Sequence, residues 1–215
     1  MATSVSKTAK PAKKKNFSSF SKKDAFKALN LIDLKSWTID APKLNLSDFF
    51  QERLRRLRQN FDLESGEEAK KLLIDALCDE ALESCHHLKI WKSAALEGKY
   101  AAGIVDYLVA ERKRYLETPF LCVVEAKKDD FEQGLAQCLV EMDACAWSNQ
   151  ELGQSLEVIG IVTNGEAWKF YKLTRDGEIY ETLLYSISAM ETVLGVLRSL
   201  FQHCENQLIA LGRVK

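Results

Sequence analysis

The chain has 215 residues, 47% hydrophobic and 28% charged, with 10 glycines and 3 prolines. That length suits one medium domain with appendages, and the composition excludes collagen-like and wholly disordered chains. The formal net charge of −1 conceals a division: residues 1–23 hold seven lysines and no acid, so the start carries +7 and the remaining 192 residues carry −8.

The elements follow in order. Residues 1–23, rich in Lys, Ser and Thr, are expected to form a disordered basic tail. Residues 24–64 are expected to form a helical extension. It begins with scattered apolar patches (Phe26, Leu29, Leu31, Ile32, Leu34, Trp37) broken at Ala41-Pro42. From Ser47 to Phe61, Phe50, Leu54 and Leu57 recur at i, i+4, i+7, and Ser47 offers an N-cap, predicting an amphipathic helix.

Residues 65–215 are expected to form the main domain. Ser65-Gly66-Glu67-Glu68 opens a helix whose stripe of Leu72, Leu73, Ala76, Leu77, Cys78, Ala81 and Leu82 runs to about Cys85. The period then changes to strand-like runs at 100–110 and 120–127. Asp129 and Asp130 are placed to cap a helix reaching about Trp147, with Leu135, Cys138, Leu139, Met142 and Cys145 inward. Strands are expected at 156–163, 168–174 and 179–184, punctuated by Asn164-Gly165 and Asp176-Gly177, and a helix over 188–211 closes the chain. The six cysteines form no CxxC pair, and Cys78/Cys85 and Cys138/Cys145 stand seven apart on helices, the spacing of small buried hydrophobes.

Two strands carry charges where a core strand should not. Asp106 interrupts Gly103-Ile104-Val105-Asp106-Tyr107-Leu108-Val109, while Glu125 and Lys127 end Phe120 to Lys127. Side chains alternate along a strand, so Glu125 and Lys127 share a face with Val123. In an antiparallel hairpin, an index sum of 231 sets Asp106 opposite Glu125 and 233 sets it opposite Lys127; either register gathers all three on one face. Two carboxylates held close repel unless a cation sits between them, and Mg²⁺, which keeps waters and takes substrate phosphate oxygens, suits that pair better than Zn²⁺. Lys127 would then hold the attacking water or neutralise charge growing on a phosphate. Four Glu-x-Lys tripeptides occur, at 68, 97, 111 and 125. Only the last ends an apolar strand, follows a strand bearing an Asp, and leads into a helix.

On these residues, Asp106 followed after eighteen positions by Glu125-Ala126-Lys127, the chain resembles the PD-(D/E)XK nuclease superfamily. Val105 stands where the Pro of that name would be, and Pro supplies no ligand. The resemblance implies an α/β fold with a restriction-endonuclease-like αβββαβ core: a mixed central sheet flanked by helices, here with an N-terminal helical extension and a C-terminal helix. It requires one more strand near Leu88–Trp91. It implies a Mg²⁺-dependent (or Mn²⁺-dependent) nuclease of the restriction, defence or repair kind. Asp106 and Glu125 would hold the metal, and Lys127 would act on the water. Glu68 on the first core helix would complete the metal set, with Glu67 the alternative. Gln137, ahead of Gln133, would be the glutamine contributed by the helix after the motif. DNA is the expected partner and RNA remains open. No membrane partner is expected, because no apolar run approaches the roughly 18–20 residues of a membrane span, and no apolar signal stretch follows the lysines, so the expected location is cytoplasmic. Double-strand cleavage by one small site would call for a homodimer. The acidity of the body motivates a second reading, an inactive module of the same fold that binds nucleic acid or protein.

Overall fold

The computed structural model describes residues 14–127 and 130–214. It is a mixed α/β structure in three layers. The elements are β1 (Lys15–Asn16), a 3-10 turn (Phe17–Ser19), α1 (Lys22–Ala28), β2 (Lys35–Ser36), α2 (Asp48–Asn60), α3 (Glu67–Leu82), β3 (Leu88–Glu97), β4 (Ala101–Glu111), β5 (Phe120–Ala126), α4 (Phe131–Gln150), β6 (Val158–Thr163), β7 (Ala167–Leu173), β8 (Ile179–Glu181), β9 (Tyr185–Ser186), and α5 (Met190–Ala210). The strand expected near Leu88 is present and longer than expected. That expected over 179–184 stops at Glu181. Asp130 caps α4 by accepting from the Gln133 N–H, while Asp129 lies outside the described residues.

All these strands join one sheet, ordered β1-β4-β5-β6-β7-β8-β2, with β3 along the other edge of β4 and β9 on β7. Strands β3, β4 and β5 form an antiparallel meander, and β6 lies parallel to β5 because α4 carries the chain back across the sheet. One face packs against α2, α3 and α5 through Leu77, Trp168, Phe170 and Phe201. The other packs against α4 and the N-terminal segment through Leu108, Val123, Leu139 and Met142. All six cysteines are free and buried. Burial pushes Cys78 up to about 12 and Cys85 up to about 11, so they pack as apolar groups.

The expectation of a disordered tail over 1–23 does not hold for residues 14–23; residues 1–13 lie outside the described part. Phe17 and Phe20 are buried, and burying an aromatic side chain contributes about 1.5–3 kcal/mol, enough to hold a short lysine-bearing segment down. Lys14 pairs with Glu97 at 2.8 Å and Lys15 with Asp24 at 2.8 Å, so two tail cations meet acids on the surface of the fold. A capping box between Ser21 and Asp24 then starts α1. Composition hid this because two aromatics among lysines barely shift an average.

Two irregularities aim the charged strands. Across β3 and β4 the pairing runs Lys92↔Tyr107 and Ala94↔Val105, leaving out Ser93 and Asp106, and Ser93 has a φ of 50°, in the left-handed region. Val105 and Tyr107, two apart, consequently pack into different cores, so the pleat is broken at Asp106. In β5, Val109↔Cys122 is followed by Ala110↔Phe120, which makes Leu121 an extra bulged residue. Leu121 therefore faces α3 and α5 and not, as strict alternation predicts, the face of Val123. Among the described residues, no helix is long and apolar enough to cross a membrane.

Candidate active site

The register of β4 and β5 is Tyr107↔Val124 and Leu108↔Val123, an index sum of 231. That is the first of the two expected sums; the pairing ends at Tyr107↔Val124, and beyond it the Asp106 side chain is what meets β5. Asp106 is fixed at both oxygens: its Oδ2 accepts the Ala126 N–H at 3.0 Å, and its Oδ1 accepts from Lys71 Nζ at 3.0 Å. Lys127 lies just past β5, yet its backbone N–H still donates to Thr163 O at 2.9 Å, so β6 holds it in line.

Glu125 is 1% exposed. Its Oε1 pairs with Lys127 Nζ at 2.7 Å, while its Oε2 is buried and has no hydrogen-bond partner among the described residues. Burial first, and then repulsion from Asp106, push its carboxyl up to about 7, against the lowering effect of Lys127. Burial alone would draw Lys127 down, but Glu125 outweighs it and the ammonium is held above the ordinary lysine range. Lys127 Nζ also donates to Gln137 Oε1 at 3.1 Å.

Helix α4 delivers Gln137 by lying close on the sheet. A Cβ at Gly134 would stand 2.6 Å from Val162 Cγ1 and 3.1 Å from Lys127 Cγ, and one at Gly160 would stand 2.6 Å from Cys138 Sγ. The missing side chains let helix and strand approach, one turn from Gln137. Gln137 Nε2 in turn donates to Glu141 Oε1 at 2.9 Å, and Glu141 is fully buried.

The helix acids lie differently. Glu68 Oε1 accepts from Lys71 at 2.8 Å and Glu67 Oε1 lies 3.2 Å from the same ammonium. The Glu68 side chain is 86% exposed. Lys71 thus joins α3 to Asp106, and its neighbours Glu68 and Asp106, outweighing burial, hold its pKa above the ordinary lysine range. Gln133, the second choice on α4, turns away: its Nε2 donates to Ser18 O at 3.0 Å and Phe20 O at 3.1 Å, tying the N-terminal segment to α4.

The structure therefore brings Asp106, Glu125, Lys127 and Gln137 together, and reaches Glu68 only through Lys71. Sequence reasoning missed Lys71 and Glu141. Lys71 was visible as the cation three and four residues after Glu68 and Glu67. Glu141 was visible as an acid four residues after Gln137, on the same side of the helix.

The donors suit a hard divalent cation. Glu125 Oε2 is an unpartnered buried carboxylate oxygen beside a second carboxylate, and a cation there would relieve the repulsion that raises Glu125. Among the described residues no group of three or more His, Cys, Asp or Glu is arranged to hold a metal. Asp106 and Glu125 would therefore act as a pair, with water and substrate oxygens completing the shell.

No protein-family model matches the chain. Over 134 residues it is 28% identical to Crinkler effector protein 5 of Phytophthora infestans, a match that covers 60% of this chain and 36% of that protein. The chain is thus similar to about a third of a longer relative.

Proposed function

We propose that the protein is a Mg²⁺-dependent nuclease that hydrolyses phosphodiester bonds, with DNA as substrate, built on a restriction-endonuclease-like core. The observation that carries this reading is the unpartnered buried oxygen of Glu125, whose carboxyl feels the charge of Asp106 and pairs with Lys127 at 2.7 Å. The element order α3-β3-β4-β5-α4-β6, an antiparallel meander followed by a parallel strand, supports the αβββαβ core.

In this reading Asp106 and Glu125 would hold the metal, which would supply Lewis-acid polarisation of the scissile phosphate. Lys127 places its ammonium where a nucleophilic water approaches the phosphorus, orienting that water and offsetting charge on the phosphate oxygens. Gln137 limits the directions the ammonium can take. Lys71, already on Asp106, stands where it can meet a neighbouring phosphate, with Glu67 and Glu68 at the outer rim. Manganese, with the same preference for oxygen ligands, would substitute. RNA is a second substrate class the same chemistry accepts, and cleavage of both strands of a duplex would engage two copies. A cytoplasmic setting is part of the proposal. The relative's name describes an effector, and cleavage of nucleic acid is one way an effector can act.

One observation favours a second reading, an inactive binding module: the Lys71 ammonium already sits between Asp106 and the α3 acids. A cleavage assay separates the two. Purified protein with Mg²⁺ or Mn²⁺ is offered single-stranded, double-stranded and branched DNA and single-stranded RNA, with Glu125→Ala and Lys127→Ala as controls. Metal-dependent cleavage lost in both variants is expected. Cleavage of nothing, or cleavage the variants retain, leaves the binding module.

A further inference from the structure

Glu141 lies in the middle of α4, fully exposed to nothing but protein, among Cys138, Val140, Met142, Ala144 and Cys145, all buried. A carboxyl group there loses its water shell, and an apolar side chain of the same size would stabilise the helix packing more. Among the described residues its one hydrogen bond is from Gln137 Nε2 to Oε1 at 2.9 Å, and its Oε2 has no partner. Packing does not account for it.

The far end of Gln137 does. A primary amide has a donating end and an accepting end, and an ammonium group has only donors. If the NH₂ of Gln137 faced Lys127, two donors would meet. Glu141, which accepts at Oε1, takes the NH₂ and leaves the carbonyl oxygen facing Lys127 Nζ at 3.1 Å. The i, i+4 spacing of Gln137 and Glu141 on one long helix holds both side chains on the same side.

We propose that Glu141 is a positioning residue of the site, fixing the orientation of the Gln137 amide and thereby the place of the Lys127 ammonium against Glu125. The catalytic consequence rests on the nuclease reading; the positioning itself does not.

The test is to observe Lys127 directly. Protein labelled with ¹⁵N at lysine Nζ is examined by NMR for ammonium signals, the Lys127 signal being assigned by its loss in Lys127→Arg. A half-buried ammonium held by two acceptors exchanges its protons more slowly than exposed lysines and gives a signal distinct from theirs. Glu141→Met should abolish that signal or merge it with those of exposed lysines. Glu141→Gln, whose amide oxygen can still accept from Gln137, should retain it. In cleavage, Glu141→Met should lower kcat by about tenfold to a hundredfold with KM nearly unchanged, the scale expected of a misplaced group, and Glu141→Gln should restore most of it. The proposal is overturned if the native protein shows no Lys127 signal, if Glu141→Met keeps it, or if Glu141→Gln loses it as fully as Glu141→Met. Should Glu141→Met fail to fold, Gln137→Met takes its place: loss of the signal supports the relay, and retention overturns it. If the native protein cleaves nothing while the NMR pattern holds, the nuclease reading falls and the positioning stands.

Discussion

Glu68 and Glu125 are both glutamates paired with a lysine, at 2.8 and 2.7 Å, yet their side chains are 86% and 2% exposed. Their proton affinities move in opposite directions. The hydrogen bond from Lys71 lowers Glu68, while burial and Asp106 raise Glu125 to about 7 in spite of Lys127. The same ion pair is a solvated contact at the rim and a strained charge in the interior. Desolvation, not the partner, decides which. Lys71 links the two regions through Asp106, so the outer acids sense the inner ones across one ammonium.

This contrast can be broken from its buried side first. Glu125→Ala and Lys127→Ala are each expected to cut cleavage by about a thousandfold, the scale of losing one preorganised charged group. Steady-state rates at saturating Mg²⁺ measure it, and a loss under tenfold would place the chemistry elsewhere.

Stability against pH reads the same burial. The folded Glu125 carboxyl titrates near 7 against an ordinary value of 4.5. As pH rises through this window the unfolded chain gives up its proton before the folded one, so stability falls between about 4.5 and 7 and is flat above. The steepest slope is about 1.4 kcal/mol per pH unit. Urea unfolding at pH 5 and pH 8 should show the fall in the native protein and a smaller one in Glu125→Gln. Mg²⁺, binding the ionised carboxylates, should raise stability at pH 8 and not at pH 5.

The close approach that brings Gln137 to Lys127 offers a third break. Gly134→Ala puts a Cβ 2.6 Å from Val162 Cγ1 and should cost about 1–3 kcal/mol as the helix is pushed off β6, measurable as a lower urea midpoint. An unchanged midpoint would mean that the helix has slack there.

The linking ammonium and the rim come last. Lys71→Met removes a positive charge 3.0 Å from Asp106 and should lower the Mg²⁺ concentration for half-maximal activity by about tenfold, equivalent to about 1.4 kcal/mol. A higher requirement would show that Lys71 supports the site instead of competing for it. Glu68→Gln should leave cleavage within about threefold, as expected of an exposed pair. A loss as large as that of Glu125→Ala would return Glu68 to the metal set.

Much of the main domain could be read in advance because its periods are strong. The leucine and alanine stripe of α3, the apolar runs of β4 to β6, and the Asn164-Gly165 turn each state their own local structure, and Gly165 takes the positive φ, 85°, that such a turn requires. The index sum of 231 between β4 and β5 was legible as one of two allowed registers, but the break in the pleat at Asp106 was not, because alternation assumes an unbroken strand. The strand at Leu88–Glu97 was less so, because lysines and tryptophan interrupt its alternation. Gln137 was placed ahead of Gln133 by the resemblance alone, since both lie on one helical face. Only the N-terminal segment, which takes the Gln133 amide, distinguishes them.

By itself the sequence determined which residues could make a site: acids and a lysine interrupting apolar strands, at spacings that pleat and helix convert into shared faces. Local geometry repeats with fixed periods, so neighbours within one element can be counted. The tertiary structure decided which charges were buried, which lysine met which acid, and that Lys15 to Phe20 belongs to the fold. Those outcomes depend on contacts between residues far apart in the chain. Glu141 to Gln137 is one helical turn, but the link from Gln137 to Lys127 and Glu125 exists only because α4 packs down on β5 and β6.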